Sequence, residues 1–213
     1  MSAVWTDTPA DWPSSAWSGR RPATSFAVDP YCYPGTRPDG SYAVADGDVW
    51  GLDVVDGGWV DRDTGDRVDM TGRDLVLAYG SNADPAKLSQ RLTGTVLVLR
   101  CLVRDHSAVW CEARRWVDRA VVATIVPDPG RIEAHHVLAV TEEQVAEMDG
   151  WEGHPDWYER QEFHGPVLLE SGTVPDDVWA YVGTEALRPP LRIDGRSLRV
   201  AEHCHGDVDG LVG

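Results

Sequence analysis

The chain of 213 residues carries 35 Asp and Glu against 19 Lys and Arg, a formal charge of −16, and 42% of its residues are hydrophobic. That length and apolar share are enough to bury a core. A field of that sign repels phosphate backbones and anionic headgroups, which excludes nucleic acid and membrane surfaces as expected partners.

Residues 1–70 have a texture of their own, with Trp5, Trp12, Trp17, Trp50 and Trp59, many prolines and repeated Asp-Gly pairs. The first residues show no basic segment ahead of an apolar run, and no stretch approaches the roughly 20 apolar residues of a spanning helix. The four cysteines, Cys32, Cys101, Cys111 and Cys204, lack CxxC spacing and read as reduced thiols. The expectation is a cytoplasmic protein. Pro9, Pro13 and Pro22 oppose a long helix near the start. Short apolar alternations at Tyr42-Ala43-Val44, Val49 to Leu52, Trp59-Val60 and Val68 to Met70 predict hairpin strands, with Gly57-Gly58 and Asp63 to Asp66 as turns. Two units follow: an extension over 1–70 packed on a main domain over 71–213.

Leu75 to Tyr79 is a compact apolar run that predicts a buried strand, closed by Gly80. A helix is expected from Asp84 to Leu92, with Asp84 as its cap, Pro85 at the first position, and Leu88 and Leu92 on one face. Strands are expected over 96–103, 120–126 and 136–140, the second closing at Pro127-Asp128-Pro129-Gly130. Thr141-Glu142-Glu143-Gln144 is a capping-box pattern opening a short helix that Gly150 stops. Strands at 162–169 and 178–182 complete an α+β order rather than alternating βαβ units.

Two segments could carry chemistry. Tyr79-Gly80-Ser81-Asn82 is a strand-to-helix turn whose backbone N–H groups could hold a carboxylate, or simply a tight turn. Glu152 lies between Trp151 and Gly153, just past the expected helix end, with Trp157 and Tyr158 close behind. Aromatic walls strip water from a carboxylate and raise its pKa toward neutral, where it suits proton transfer; a solvated loop glutamate is the plain alternative. His203-Cys204-His205 and His135-His136 do not form a metal set, because adjacent residues on a strand point to opposite faces. Asp61, Asp63 and Asp66 lack the glycine position and terminal glutamate of a calcium loop. No metal or cofactor is expected.

Taken together, LAYGSNADPAKLSQRL and VTEEQVAEMDGWEGHPDWYER resemble the γ-glutamyl cyclotransferase (AIG2-like) superfamily over roughly residues 74–185. The resemblance implies a mixed, closed or nearly closed β-barrel with a few flanking helices. It implies Glu152 as the catalytic acid/base, and Tyr79, Gly80, Ser81, Asn82, Tyr158 and Arg160 as substrate-binding residues. The implied reaction is attack of a γ-glutamyl α-amine on its own γ-carbonyl, releasing 5-oxoproline and an amine or amino acid from a small-molecule substrate. Removal of a γ-glutamyl protecting group in specialised metabolism falls within that reaction. Ala83 stands where the family usually has leucine, and His135-His136-Val137 where it usually has Gly-Val. A binding or regulatory protein on the same fold, or another acyl or amide transferase, are the alternatives.

Overall fold

The computed structural model describes residues 17–26, 34, 35 and 37–212; the expectations for Trp5, Trp12, Pro9, Pro13 and Cys32 lie outside them. Its strands are β1 (Arg21–Pro22), β2 (Tyr42–Ala45), β3 (Asp48–Val55), β4 (Gly58–Asp61), β5 (Asp74–Ala78), β6 (Val96–Arg114), β7 (Val121–Val140), β8 (Tyr158–Glu162), β9 (Val167–Leu169), β10 (Trp179–Gly183), β11 (Arg192–Ile193) and β12 (Arg196–Ser197). The helices are α1 (Pro85–Arg91), α2 (Glu142–Glu152) and α3 (His205–Asp209), with short 3-10 turns at Ala23–Phe26 and Ser81–Ala83. Ten strands form one mixed sheet in the order β1-β3-β2-β6-β7-β5-β10-β8, with β4 on β3 and β9 on β6. Only β5 and β10 among these pairs run parallel.

The centre of the sheet is buried on both faces, to which period-2 alternation sends successive side chains. Val76, Ala78, Val96, Val98, Leu138 and Val140 face one way, under Leu88 and Leu92 of the first helical segment and Val145 and Met148 of α2. Leu77, Leu97, Leu99, Val137 and Ala139 face the other, together with Ala108, Ala123 and Ile125 from the far half of the β6–β7 hairpin.

Several expectations are corrected. The strands expected over 96–103, 120–126 and 136–140 are parts of one hairpin, whose arms are 19 and 20 residues long. The second arm runs straight through Pro127 to Gly130 instead of closing there. Register shifts at Arg104/His106 and Trp110/Arg114 bend it. At the first of these Asp105 adopts φ 61° and its Oδ1 accepts Gly130 N–H at 2.7 Å. The segment expected over 162–169 is split between β8 and β9, and Val68 to Met70 lie outside any strand. The expected barrel is not closed by a ladder: among the described residues the sheet ends at β1 and β8. The bent hairpin instead reaches β8 and β10 through side chains, Tyr158 O–H donating to Ala123 O at 3.0 Å and Gly183 N–H to Thr124 Oγ1 at 2.9 Å.

The local signals at α1 and α2 act as their chemistry demands. Asp84 Oδ1 accepts the amides of Ala86 and Lys87 at 2.9 and 3.2 Å. The Thr141 hydroxyl accepts the Gln144 amide and the Gln144 side-chain oxygen accepts the Thr141 amide, the two hydrogen bonds of a capping box. Gly150, however, does not stop α2. The helix continues to Glu152 and is closed by Gly153 in the left-handed region, φ 63°.

Candidate active site

Chain topology brings the two sequence motifs together. β7 pairs antiparallel with β5 so that Val140 lies opposite Asp74. α2 therefore starts at the N-terminal end of β5 and packs on the same face of the sheet. Eleven helical residues rise about 16 Å, close to the length of five extended residues, so α2 delivers its last residue to the turn that follows β5. Asn82 and Glu152, 70 positions apart, meet there: Asn82 Nδ2 donates to Glu152 Oε1 at 2.8 Å.

Trp151 Nε1 donates to the same oxygen at 2.7 Å. Oε2 has no hydrogen-bond partner among the described residues. Burial pushes the Glu152 carboxyl above the usual range, against the pull of the Asn82 and Trp151 hydrogen bonds and the charges of Arg91 and Arg115. The αL cap fixes this helix end. A Cβ on Gly153 would stand 2.9 Å from the Trp157 ring, in a backbone region that only glycine enters cheaply.

Glu152, Asn82, Ser81, Gly80, Tyr79 and Tyr158 line one cavity of about 130 Å³. The turn is held from behind. Arg37 Nη2 binds the carbonyl oxygens of Tyr79, at 3.2 Å, and of Gly80. Tyr42 O–H donates to Ala83 O, and Tyr79 O–H to Tyr181 O. With those carbonyls engaged, the amides of Gly80 and Ser81 keep no backbone partner among the described residues. Among the described residues none of those lining the cavity precedes Leu77; Arg37 and Tyr42 support the turn from outside it.

Arg160 is placed elsewhere. It does not line the cavity but pairs with Asp149, Nε to Oδ1 at 3.0 Å, while Tyr181 O–H donates to the same oxygen at 2.7 Å. Burial works against the Asp149 charge, but the Arg160 and Tyr181 hydrogen bonds prevail and hold it below the usual carboxylate range. Arg160 therefore ties the last turn of α2 to β8 and β10.

Sequence reasoning missed the other wall of the cavity. Arg115, Trp116 and Val117 come from the hairpin tip between β6 and β7, and Arg188 from the loop after β10. Trp116 and Val117 are 80% and 97% exposed. Nothing in their local sequence marks these residues; the bend of the hairpin brings them in. Trp151 as a donor to Glu152 was within reach, since the two are adjacent.

His135 and His136 are buried, and burial lowers both, His136 to about 3. Asp61 accepts the amides of Asp63 and Thr64 within its turn. No group of three or more His, Cys, Asp or Glu among the described residues is arranged to hold a metal ion. No helix among them is long and apolar enough to cross a membrane.

Compared with known families, residues 76–198, more than half of the chain, match the model of the γ-glutamyl cyclotransferase, AIG2-like family. The chain belongs to this family. Solved structures similar to this family member include one titled γ-glutamyl cyclotransferase, at 18% identity and TM-score 0.45, covering 55% of this chain and 68% of that one. An Arabidopsis thaliana protein is 21% identical with TM-score 0.45 over 61% and 78% of the two chains. A yeast γ-glutamyl cyclotransferase titled as specific to glutathione is 16% identical with TM-score 0.40, over 58% and 77%. A search of the curated proteins gave no match.

Proposed function

We propose that this AIG2-like protein is a γ-glutamyl cyclotransferase that converts a γ-glutamyl amide into 5-oxoproline and a free amine or amino acid. One observation carries the reading: a half-buried Glu152 whose carboxyl is raised by desolvation, one oxygen held by Asn82 and Trp151 and the other without a hydrogen-bond partner among the described residues, in a cavity also lined by Gly80 and Ser81, whose amides keep no backbone partner among those residues. Asn82 and Trp151 fix Oε1, so Oε2 is the atom that meets the substrate amine. It accepts a proton from the α-amine as that nitrogen attacks the γ-carbonyl. The ring C–N bond forms, the γ-amide C–N bond breaks, and the departing nitrogen receives the proton from Glu152. No redox change and no second substrate enter the balance. Nucleophile and electrophile share one molecule, so holding the glutamyl chain folded supplies most of what catalysis needs.

The amides of Gly80 and Ser81 suit the α-carboxylate or the oxyanion. Tyr79 and Tyr158 wall the glutamyl chain, and Asn82 orients the base. Arg160 acts as a positioning residue through Asp149 rather than by touching substrate. We take residues 1–70 as an extension packed on the main domain, whose Arg37 and Tyr42 brace the catalytic turn, and place the reaction in the cytoplasm on a small molecule, away from nucleic acid and membrane.

The test is product analysis over a panel of γ-glutamyl amino acids, amines and protected metabolites. 5-Oxoproline formed by the native chain and lost in Glu152→Gln is the expected result. Binding without product would make this a non-catalytic member of the fold, and a new amide or ester without 5-oxoproline would make it a transferase with an external nucleophile.

A further inference from the structure

Three arginines line the cavity, and the protein itself accounts for two of them. Arg115 donates to both oxygens of Asp118, at 3.1 and 2.6 Å. Arg91 is exposed and lies over the Trp151 ring, 5.2 Å from its centroid. Arg188 is only 6% exposed. Acidic residues outnumber basic ones 35 to 19, yet no carboxylate among the described residues pairs with it. Its guanidinium makes one hydrogen bond, from Nη1 to the carbonyl of its own neighbour Leu187 at 3.0 Å, and its Nε is buried without a partner.

This placement is built by the fold. A Cβ on Gly183 would sit 2.7 Å from the Arg188 Cβ and carbonyl oxygen, so a side chain there would expel the arginine. Arg188 N–H donates to Thr184 O at 2.8 Å and Gly183 N–H to Thr124 Oγ1 at 2.9 Å, locking the loop against β7. The rings of Trp157 and Tyr158 flank the guanidinium, with centroids 5.3 and 6.0 Å from Cζ. Aromatic faces offset part of the cost of burying a cation, but not the loss of its hydrogen bonds. A planar anion docked against the guanidinium fork would supply them.

We propose that Arg188 receives a carboxylate carried on the departing amine, so that the substrate is a γ-glutamyl amino acid or short γ-glutamyl peptide rather than a γ-glutamylamine. The inference rests on the cyclotransferase reading of the cavity. The α-amine and α-carboxylate of a glutamyl group share one carbon, so an amine held by Glu152 keeps that carboxylate beside the amides of the Tyr79–Asn82 turn. Arg188 belongs to a different wall, made by the β10 loop and β7, and takes the half of the molecule beyond the scissile amide.

The experiment measures calorimetric binding of γ-glutamylglycine and γ-glutamylmethylamide to the full chain carrying Glu152→Gln, then with Arg188→Met or Arg188→Lys added. The expected result is about 10- to 100-fold tighter binding of γ-glutamylglycine, the range of a charged hydrogen-bonded pair. Arg188→Met should erase that preference by weakening the glycine compound alone, and Arg188→Lys should restore part of it. Thermal melts identify which variants fold, and the lysine variant carries the test if the methionine one does not. Equal affinities in the Glu152→Gln chain, no binding of either compound, or equal weakening of both by the Arg188 substitutions would overturn the proposal. 5-Oxoproline release by the native chain is read separately. A carboxylate preference without that product would remove the cyclotransferase reading and leave Arg188 as an anion-recognising residue.

Discussion

The wall of the cavity made by Asn82, Trp151 and Glu152 is braced from within, with both donors spent on Oε1 of the carboxylate and the αL glycine fixing the helix end. The wall made by the hairpin tip and the β10 loop is the reverse: Trp116 and Val117 stand exposed, and Arg188 is buried without an anionic partner among the described residues. The first wall is arranged before any substrate arrives, as the proton-transfer role proposed for Glu152 requires. The second, on the proposed reading, is completed by the substrate's carboxylate. On the proposed reading, chemistry and selectivity reside on different chain segments, and each can be altered without the other.

The largest separation is expected at Glu152. Glu152→Gln should lower the rate of 5-oxoproline release by about 10²- to 10⁴-fold, the usual worth of a positioned acid/base group. The same change should leave the melting temperature at neutral pH unchanged or raised. The sign follows from the raised folded pKa. The folded chain binds this proton more tightly than the unfolded one, so the stabilisation is complete below the ordinary glutamate value. It is lost as pH climbs through the raised one. Glutamine removes that loss, and a marked destabilisation at neutral pH would contradict this account of the first wall.

Asn82→Ala should cost about 10-fold in kcat, since one hydrogen bond to a charged group is lost. Because the Asn82 hydrogen bond opposes the upward shift of Glu152, its removal raises that pKa further. The acid limb of the kcat–pH profile, already above the ordinary glutamate range, should move higher still. A limb that stays in place would separate Asn82 from the base.

Gly153→Ala should destabilise the chain by about 1–2 kcal/mol in urea unfolding, from the left-handed backbone and the Trp157 contact together. The smallest effect belongs to the second wall: Trp116→Ser should raise KM about 2- to 5-fold through lost apolar contact, with kcat unchanged. A fall in kcat instead would mean that the hairpin tip acts on the chemistry, and the division between walls would fail.

How much of this was legible beforehand depends on the range of the interactions. The caps at Asp84 and Thr141, the buried strand before Gly80 and the hairpins over β2 to β4 rest on contacts a few residues apart, and local sequence carries them. The end of α2 was misplaced at Gly150 because a glycine signals a stop only where the backbone turns left-handed, and packing assigned that role to Gly153. The β6–β7 hairpin looked like separate strands because Pro127 and Pro129 are local punctuation, whereas a two-stranded ladder tolerates them where the strand is exposed.

The sequence by itself determined the family, the α+β order and the two motifs, because these are patterns of residue type at short spacing. Tertiary structure alone decided that Asn82 reaches Glu152, that Arg160 serves Asp149 rather than the cavity, and that Arg188 is buried facing it. Each of those depends on where long strands bend and on which distant backbone a helix end meets. Burial and pairing, which set the charge behaviour of these groups, exist only once the sheet has folded.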